Sequence, residues 1–243
     1  MRKNVTVILP AAGLGTRMGR PAPEKAGTSR KQFMLLDGSL ILLHTIRKFA
    51  SSDWVSDIVV ALRAEDINWV DSLIKDEGFP KPVRLVEGGD SRQQSVENAL
   101  ASVSNGAELV AVHDAVRPFI EHDILDKVFS VAAETGAAIV GIVPVDTVKQ
   151  VHRDKVRATI PRERLILTQT PQVFDYELLR NAFDKAREDG FVGTDESSLV
   201  ERLEQVEVSV VPGSDRNIKI TKPSDMDLAR HFLAEEKVGQ AAS

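Results

Sequence analysis

Val5–Gly19 reads VTVILPAAGLGTRMG: an apolar run, a small-residue turn, then an arginine. Val5–Leu9 is short and rich in β-branched residues, the pattern of a buried parallel strand, and Pro10 ends it. Ala11, Ala12, Gly13 and Gly15 carry almost no side chain, so backbone amides there can approach a phosphate or a sugar closely. Arg17 adds a permanent charge and a fork of donors suited to phosphate oxygens. A helix starting here would add the positive end of its dipole. Gly13, Gly15 and Gly19 give GxGxxxG, which differs from the dinucleotide GxGxxG, and no Lys-Ser/Thr pair completes a Walker loop. A tight strand-to-helix turn alone would also use such residues. Arg17, with Lys31 further on, favours the phosphate-binding reading.

Working outward from this turn, strand and helix patterns alternate, so the chain is of the α/β class: a mostly parallel, twisted sheet with helices on both faces. The periodicity predicts helices over Ser39–Phe49, Glu65–Asp76, the stretch from Arg92 to about Leu100, Asp123–Glu134, Tyr176–Glu188, Glu196–Leu203 and Pro223–Glu236. It predicts strands at Ile58–Leu62, Val83–Val86, Leu109–His113, Ala137–Val143, Val206–Val211 and Asn217–Thr221, with a frayed tail over Val238–Ser243. The alternation breaks at about residues 145–167, where β-type residues interleave with charges around His152-Arg153-Asp154-Lys155. This reads as a projecting β-hairpin, and a lone two-stranded hairpin is marginal in water. A second copy of the chain is the economical surface for it to pack on. The length of 243 residues suits one domain over residues 1–243. Arg20–Arg30 (RPAPEKAGTSR) reads either as a lid over the phosphates or as a surface excursion.

Composition narrows the partners. A net charge of -5 argues against a general nucleic-acid binder, which needs a basic face. A local basic cluster in an acidic chain instead suits a small anionic ligand. The chain has no cysteine, which excludes disulfides, thiolate catalysis and Cys-ligated metals and fits a reducing, cytoplasmic setting. The strand starting at Val5 leaves no room for a signal peptide, and no apolar run reaches the roughly 18–20 residues needed to cross a membrane.

In an open parallel sheet, ligands sit beyond the carboxyl ends of the strands. Four polar clusters fall there: the Ala11–Arg17 turn, with Pro10 before it; Gly88-Gly89-Asp90 with Arg92 and Ser95; Asp114 with Arg117; and Asp146-Thr147. Asp90 can accept from an exocyclic amine, which suits cytosine, or it can cap the following helix. Asp114 can face a divalent cation, since a hard Mg²⁺ needs only one or two carboxylates when phosphates complete its shell, or it can face sugar hydroxyls. Arg117 can instead form a structural ion pair with Asp114. His113 reads as a packed strand-end histidine and His44 as core or boundary. Lys219, inside the strand-like NIKIT, is either an edge-strand gatekeeper or a pocket cation. Arg162 and Arg164 flank the projecting arm.

There is no GxSxG elbow, HExxH or cysteine nucleophile. Attack by a substrate phosphate on a nucleotide α-phosphate needs none of these, because that nucleophile is already ionised near neutral pH. Such a reaction rests on positioning and on cations that offset developing negative charge.

Together the PAAGLGTRM turn, KQF at Lys31–Phe33, GGDSRQQSV, VHDAVRPF, PVDTVK, TQTPQVF, TDE at Thr194–Glu196 and NIKIT resemble the 2-C-methyl-D-erythritol 4-phosphate cytidylyltransferases, in that family's order and over nearly the whole chain. The resemblance implies a Rossmann-like nucleotidyltransferase fold with a projecting arm, a homodimer, CTP and Mg²⁺. It implies that Arg17 and Lys31 stabilise the phosphorus transition state, and that Arg162 and Lys219 hold the acceptor phosphate. Gly89, Asp90 and Ser95, with Arg92 nearby, would recognise CTP at its cytosine end, and Ala11, Ala12, Gly13 and Ala115 the ribose. Asp114, Arg117, Thr147 and Thr194 would face the acceptor polyol, with Asp114 also placing Mg²⁺. If the arm is exchanged, Thr147 and Arg162 act in the neighbour's pocket. Ribitol 5-phosphate as acceptor, a uridylyl or guanylyl donor, and a catalytically silent nucleotide binder remain the competing readings.

Overall fold

The computed structural model describes residues 3–13, 30–103 and 106–241. Gly15, Arg17 and the Arg20–Arg30 stretch up to Ser29 lie outside the described residues. At the centre is a seven-stranded sheet built from β1 (Val5–Pro10), β4 (Val55–Leu62), β5 (Val83–Glu87), β6 (Leu109–Val112), β7 (Ala137–Ile142), β10 (Leu167–Asp175) and β11 (Ser209–Pro212), in the spatial order β11-β7-β10-β6-β1-β4-β5. Every neighbouring pair is parallel except those made by β10, which runs antiparallel to both β6 and β7. Two short ribbons stand apart from this sheet: β2 (Leu35–Leu36) with β3 (Ser39–Leu40), and β8 (Val148–His152) with β9 (Lys155–Ile160).

Strand alternation divides the core into two layers. On β1, Val5, Val7 and Leu9 face one side, where α1 (Ile41–Ala50), α2 (Ala64–Glu77) and α4 (His122–Thr135) cover them with Ile46, Phe49, Val70 and Phe129. Ile8 faces the other side with Val110 and Val112 of β6, beneath α3 (Arg92–Ala101), α5 (Tyr176–Glu188) and α6 (Glu196–Glu201). A period of two on strands buried on both faces gives runs that are apolar throughout, which is why β1 and β6 contain almost no polar residue. A third cluster joins Leu36, Ile41 and Phe119 to Met226 and Ala229 of α7 (Pro223–Ala241).

One strand escapes the sequence reading, and two expectations need correction. TQTPQVF carries no apolar alternation, yet it forms β10, a strand with sheet partners on both sides. Asn217–Thr221, expected as a strand, is irregular: its alternation instead puts Ile218 and Ile220 against the α7 cluster and leaves Lys219 on the other side. The last helix runs to Ala241, past the expected end at Glu236 and through part of the expected frayed tail. Among the described residues, no helix is long and apolar enough to cross a membrane.

Candidate functional site

A cavity of about 460 Å³ opens at the carboxyl ends of β1, β5 and β6, where the strand order reverses on either side of β1 and leaves a crevice. Three of the four expected clusters converge on it. Pro10, Ala11, Ala12 and Gly13 form one wall. Ala11 N–H donates to Ala61 O at 2.8 Å, while the carbonyls of Ala11 and Gly13 accept from Gln32 Nε2 at 2.7 and 3.1 Å. Gln32 is almost fully buried. It pins the turn from the same short 3-10 segment, Lys31–Phe33, that brings Lys31 to the cavity wall.

The second wall follows β5. A Cβ on Gly88 would sit 2.6 Å from Ala12 Cβ, so only glycine lets this turn close against the first wall. Gly88 N–H donates to Leu62 O, and Gly89 N–H donates to Ser95 Oγ at 3.1 Å. The cap of α3 is Ser91, whose Oγ accepts from Gln94 N–H at 3.1 Å. Of the two readings for Asp90, the helix cap is therefore not met, and its carboxylate stays exposed on the cavity rim.

The third wall is Asp114-Ala115. Asp114 is nearly buried, and its Oδ2 meets Lys219 Nζ at 2.9 Å and Arg117 Nε at 3.2 Å, while Oδ1 lies 3.5 Å from Arg92 Nε. Burial alone would raise its pKa, but the charges of Lys219, Arg92 and Arg117 outweigh that and hold the carboxyl well below the usual carboxylate range. Arg92 also forks onto Glu196, at 2.6 and 3.0 Å. Glu196 is 1% exposed. Burial raises its pKa, and the Arg92 charge opposes that rise.

His113, directly below, is fully buried and fixes this turn through bonds whose directions are forced. Arg117 O can only accept, so His113 Nε2 carries the proton of that 3.0 Å bond. Nδ1 of the neutral ring accepts from Thr170 Oγ1 at 3.1 Å, and Thr170 Oγ1 accepts the Asp114 N–H at 3.0 Å. Burial pushes the His113 pKa down to about 4. A histidine whose folded pKa is depressed contributes stability that is present above its unfolded pKa and is lost as the pH falls through the folded value. Acidification from about pH 6.5 to pH 4 is expected to cost about 3 kcal/mol from this group. His44, whose Nε2 meets Leu36 O at 2.8 Å, is also lowered by burial. Urea unfolding from pH 7.5 to 4 in the native chain and in His113→Gln separates the two: the variant should show the shallower loss, and equal slopes would reject the assignment.

Of Arg117, Lys219, Thr147, Arg162 and Thr194, Lys219 alone lines this cavity. Arg117 does not line the cavity: its guanidinium is buried between Asp114 and Asn217 O, 2.6 Å away, which is the structural ion-pair reading. Lys219, expected within a strand, sits in an irregular segment anchored by Ile220 N–H to Val116 O at 3.0 Å, so the gatekeeper reading is replaced by the pocket reading. Thr147 is exposed at the foot of the β8–β9 ribbon, and Arg162 donates to Val145 O in the turn after β9; neither reaches this cavity. Thr194 is exposed and lines a separate small cleft with Arg92 and Glu196. Among the described residues, no cluster of three or more His, Asp or Glu side chains can hold a metal by itself. Sequence reasoning missed Glu196, Gln32 and Thr170; each stands inside a quoted motif, and only their burial separates them from ordinary polar residues.

Comparison with known proteins agrees with this fold. The family model described as IspD, 2-C-methyl-D-erythritol 4-phosphate cytidylyltransferase, matches residues 5–235. A relative of that name from Solibacter usitatus is 67% identical over 236 residues, with 96% of each chain covered. Another from Acidobacterium capsulatum is 50% identical over 238 residues, covering 95% of this chain and 98% of its own. Among solved structures, the 4-diphosphocytidyl-2C-methyl-D-erythritol synthase of Anaerococcus prevotii superposes with a TM-score of 0.83 at 28% identity, covering 96% of both chains. The 2-C-methyl-D-erythritol 4-phosphate cytidylyltransferase of Thermus thermophilus does so with a TM-score of 0.74 at 30% identity, covering 94% and 98%.

Proposed function

Because the chain belongs to the 2-C-methyl-D-erythritol 4-phosphate cytidylyltransferase family, its reaction is cytidylyl transfer from CTP to that polyol phosphate, and we propose that the cavity between β1, β5 and β6 is where the transfer takes place. The observation that carries this reading is the convergence of Lys31, Arg92 and Lys219 on one cavity in a chain of net negative charge. A phosphate oxygen of the acceptor forms a bond to the CTP α-phosphorus, the bond to the β-phosphate breaks, and pyrophosphate leaves. No general base is needed, because the attacking phosphate is already an anion.

In this proposal the cytosine lies against Gly89 and Ser95, with Asp90 accepting from its exocyclic amine. The ribose rests on Ala11, Ala12, Gly13 and Ala115, where missing side chains leave room. Lys31 faces the triphosphate and Lys219 meets the acceptor phosphate, while Arg17, outside the described residues, is assigned to the triphosphate by its motif alone. Asp114 faces the polyol. Its Oδ2 is shared by Lys219 and Arg117 and its Oδ1 faces Arg92 at 3.5 Å, so Oδ1, the less engaged oxygen, would be the one to hold a Mg²⁺ brought in with the nucleotide. When bound, that ion offsets the negative charge that builds on the phosphates. The working form is a homodimer in the cytoplasm, with Thr147 and Arg162 reaching the neighbouring copy's cavity and Thr194 at the acceptor end. Pyrophosphate release tests the reading. CTP with methylerythritol phosphate should turn over, while UTP or GTP as donor, or ribitol 5-phosphate as acceptor, should be far slower. Equal turnover with UTP would remove the Asp90 assignment.

A further inference from the structure

We propose that Glu196 is a positioning residue for the nucleotide site: its carboxylate grips both terminal nitrogens of Arg92 and so fixes the guanidinium plane that Arg92 presents to the cavity, with its Nε beside Asp114. The inference rests on the reading of that cavity as the CTP site.

Arg92 occupies the first position of α3, the positive end of the helix dipole, where a cation is disfavoured. Its placement there needs a compensating anion. Glu196 supplies one at 2.6 and 3.0 Å, and Asp114 Oδ1 lies 3.5 Å from the third nitrogen. The guanidinium is therefore held on its two edges by two carboxylates, and the fork geometry of such a pair fixes a plane as well as a distance. About a third of the Arg92 side chain remains exposed, and it lines the cavity.

Glu196 is itself held rigidly. Asp195, at the start of α6, accepts from Ser198 N–H at 3.1 Å and from Gln172 Nε2 at 2.8 Å, and Gln172 Oε1 accepts from Ser197 N–H at 3.0 Å. Gln172 is fully buried on β10, two residues from the Thr170 that holds the Asp114 amide. One strand thus sets the position of both carboxylates that frame Arg92. A purely structural role explains this poorly. α6 already packs through Leu199 and Val200, and a buried ion pair is on average no more stabilising than apolar packing of the same volume.

The test uses Glu196→Gln, Arg92→Lys and the double variant in the full-length chain, with CTP binding by calorimetry alongside steady-state kinetics. Glu196→Gln should raise the KM and Kd for CTP about 10–100-fold, the range for removal of a group that orients a ligand-binding residue, with a smaller change in kcat. Arg92→Lys keeps the charge but loses the fork, so it should reproduce that shift with Glu196 intact; it serves alone if Glu196→Gln does not fold. The double variant should be no worse than the poorer single one. Multiplied losses in the double variant, or a Glu196→Gln chain that melts earlier but binds CTP normally, would overturn the inference. A native chain that does not bind CTP defeats the cavity assignment, and this inference with it.

Discussion

Lys219→Ala is expected to lower kcat/KM by about 10²–10³, the usual cost of removing one group that stabilises charge in the transition state, while the chain stays folded. Lys219 Nζ lies 2.9 Å from Asp114 Oδ2 at the cavity wall, and over a third of its side chain is exposed. It sits on an irregular segment held by the Ile220 backbone and the apolar cluster beneath α7, so truncation at the ammonium leaves its anchorage intact. Arg117→Ala makes the contrast. That guanidinium is buried and bonded to Asn217 O, so its loss strands a carbonyl and half of an ion pair, and the effect should fall first on stability. Melting curves beside pyrophosphate-release kinetics separate the two. A Lys219→Ala chain with activity within threefold of the native one removes Lys219 from the acceptor clamp.

How legible each of these residues was follows from what fixes it. β1, β4, β6 and β7 are buried on both faces, so composition alone marks them. Helices such as Tyr176–Glu188 have one buried stripe and announce themselves by period. β10 gives neither signal, because the residues that matter on it are polar. Thr170 bonds to Asp114 and His113, and Gln172 holds the start of α6. A strand whose inward positions serve a polar network looks like a loop to any reading based on hydrophobic alternation. NIKIT fails in the opposite sense. Its alternation is real, with isoleucines against α7 and Lys219 toward the cavity, but the same side-chain geometry arises from an irregular segment with no strand partner.

The site divides in a similar way. Strand-end clusters at residues 10–13, 88–95 and 114–115 were readable because the fold class dictates where ligands go. Gln32 and Glu196 were not, since their roles depend on which elements meet: Lys31–Phe33 under the first turn, and α6 beside α3. By sequence Asp146-Thr147 belongs to a strand end and Arg162 to the flank of the arm, yet within one chain they stand off the cavity.

That separation makes the second large effect a test of exchange between copies. Val145, Val151, Val156 and Leu167, on the β8–β9 ribbon and at its foot, are each more than half exposed, so the arm presents apolar surface that the described residues of its own chain leave uncovered. If it lies on a second copy, Arg162→Ala should be as inactive as Lys219→Ala, with losses of about 10²-fold or more. The two inactive chains should then rescue each other. In a mixed dimer, the cavity of the Arg162→Ala chain keeps Lys219 and receives an intact Arg162 from its neighbour, while the other cavity lacks both. Co-refolding at equal amounts should therefore restore about one site in four, as random pairing in a two-fold dimer requires. If Arg162 acted within its own chain, every cavity in every pairing would lack one of the two cations, and the mixture would stay inactive. A silent mixture that still forms dimers would thus reject the exchanged arm without touching the role of Lys219.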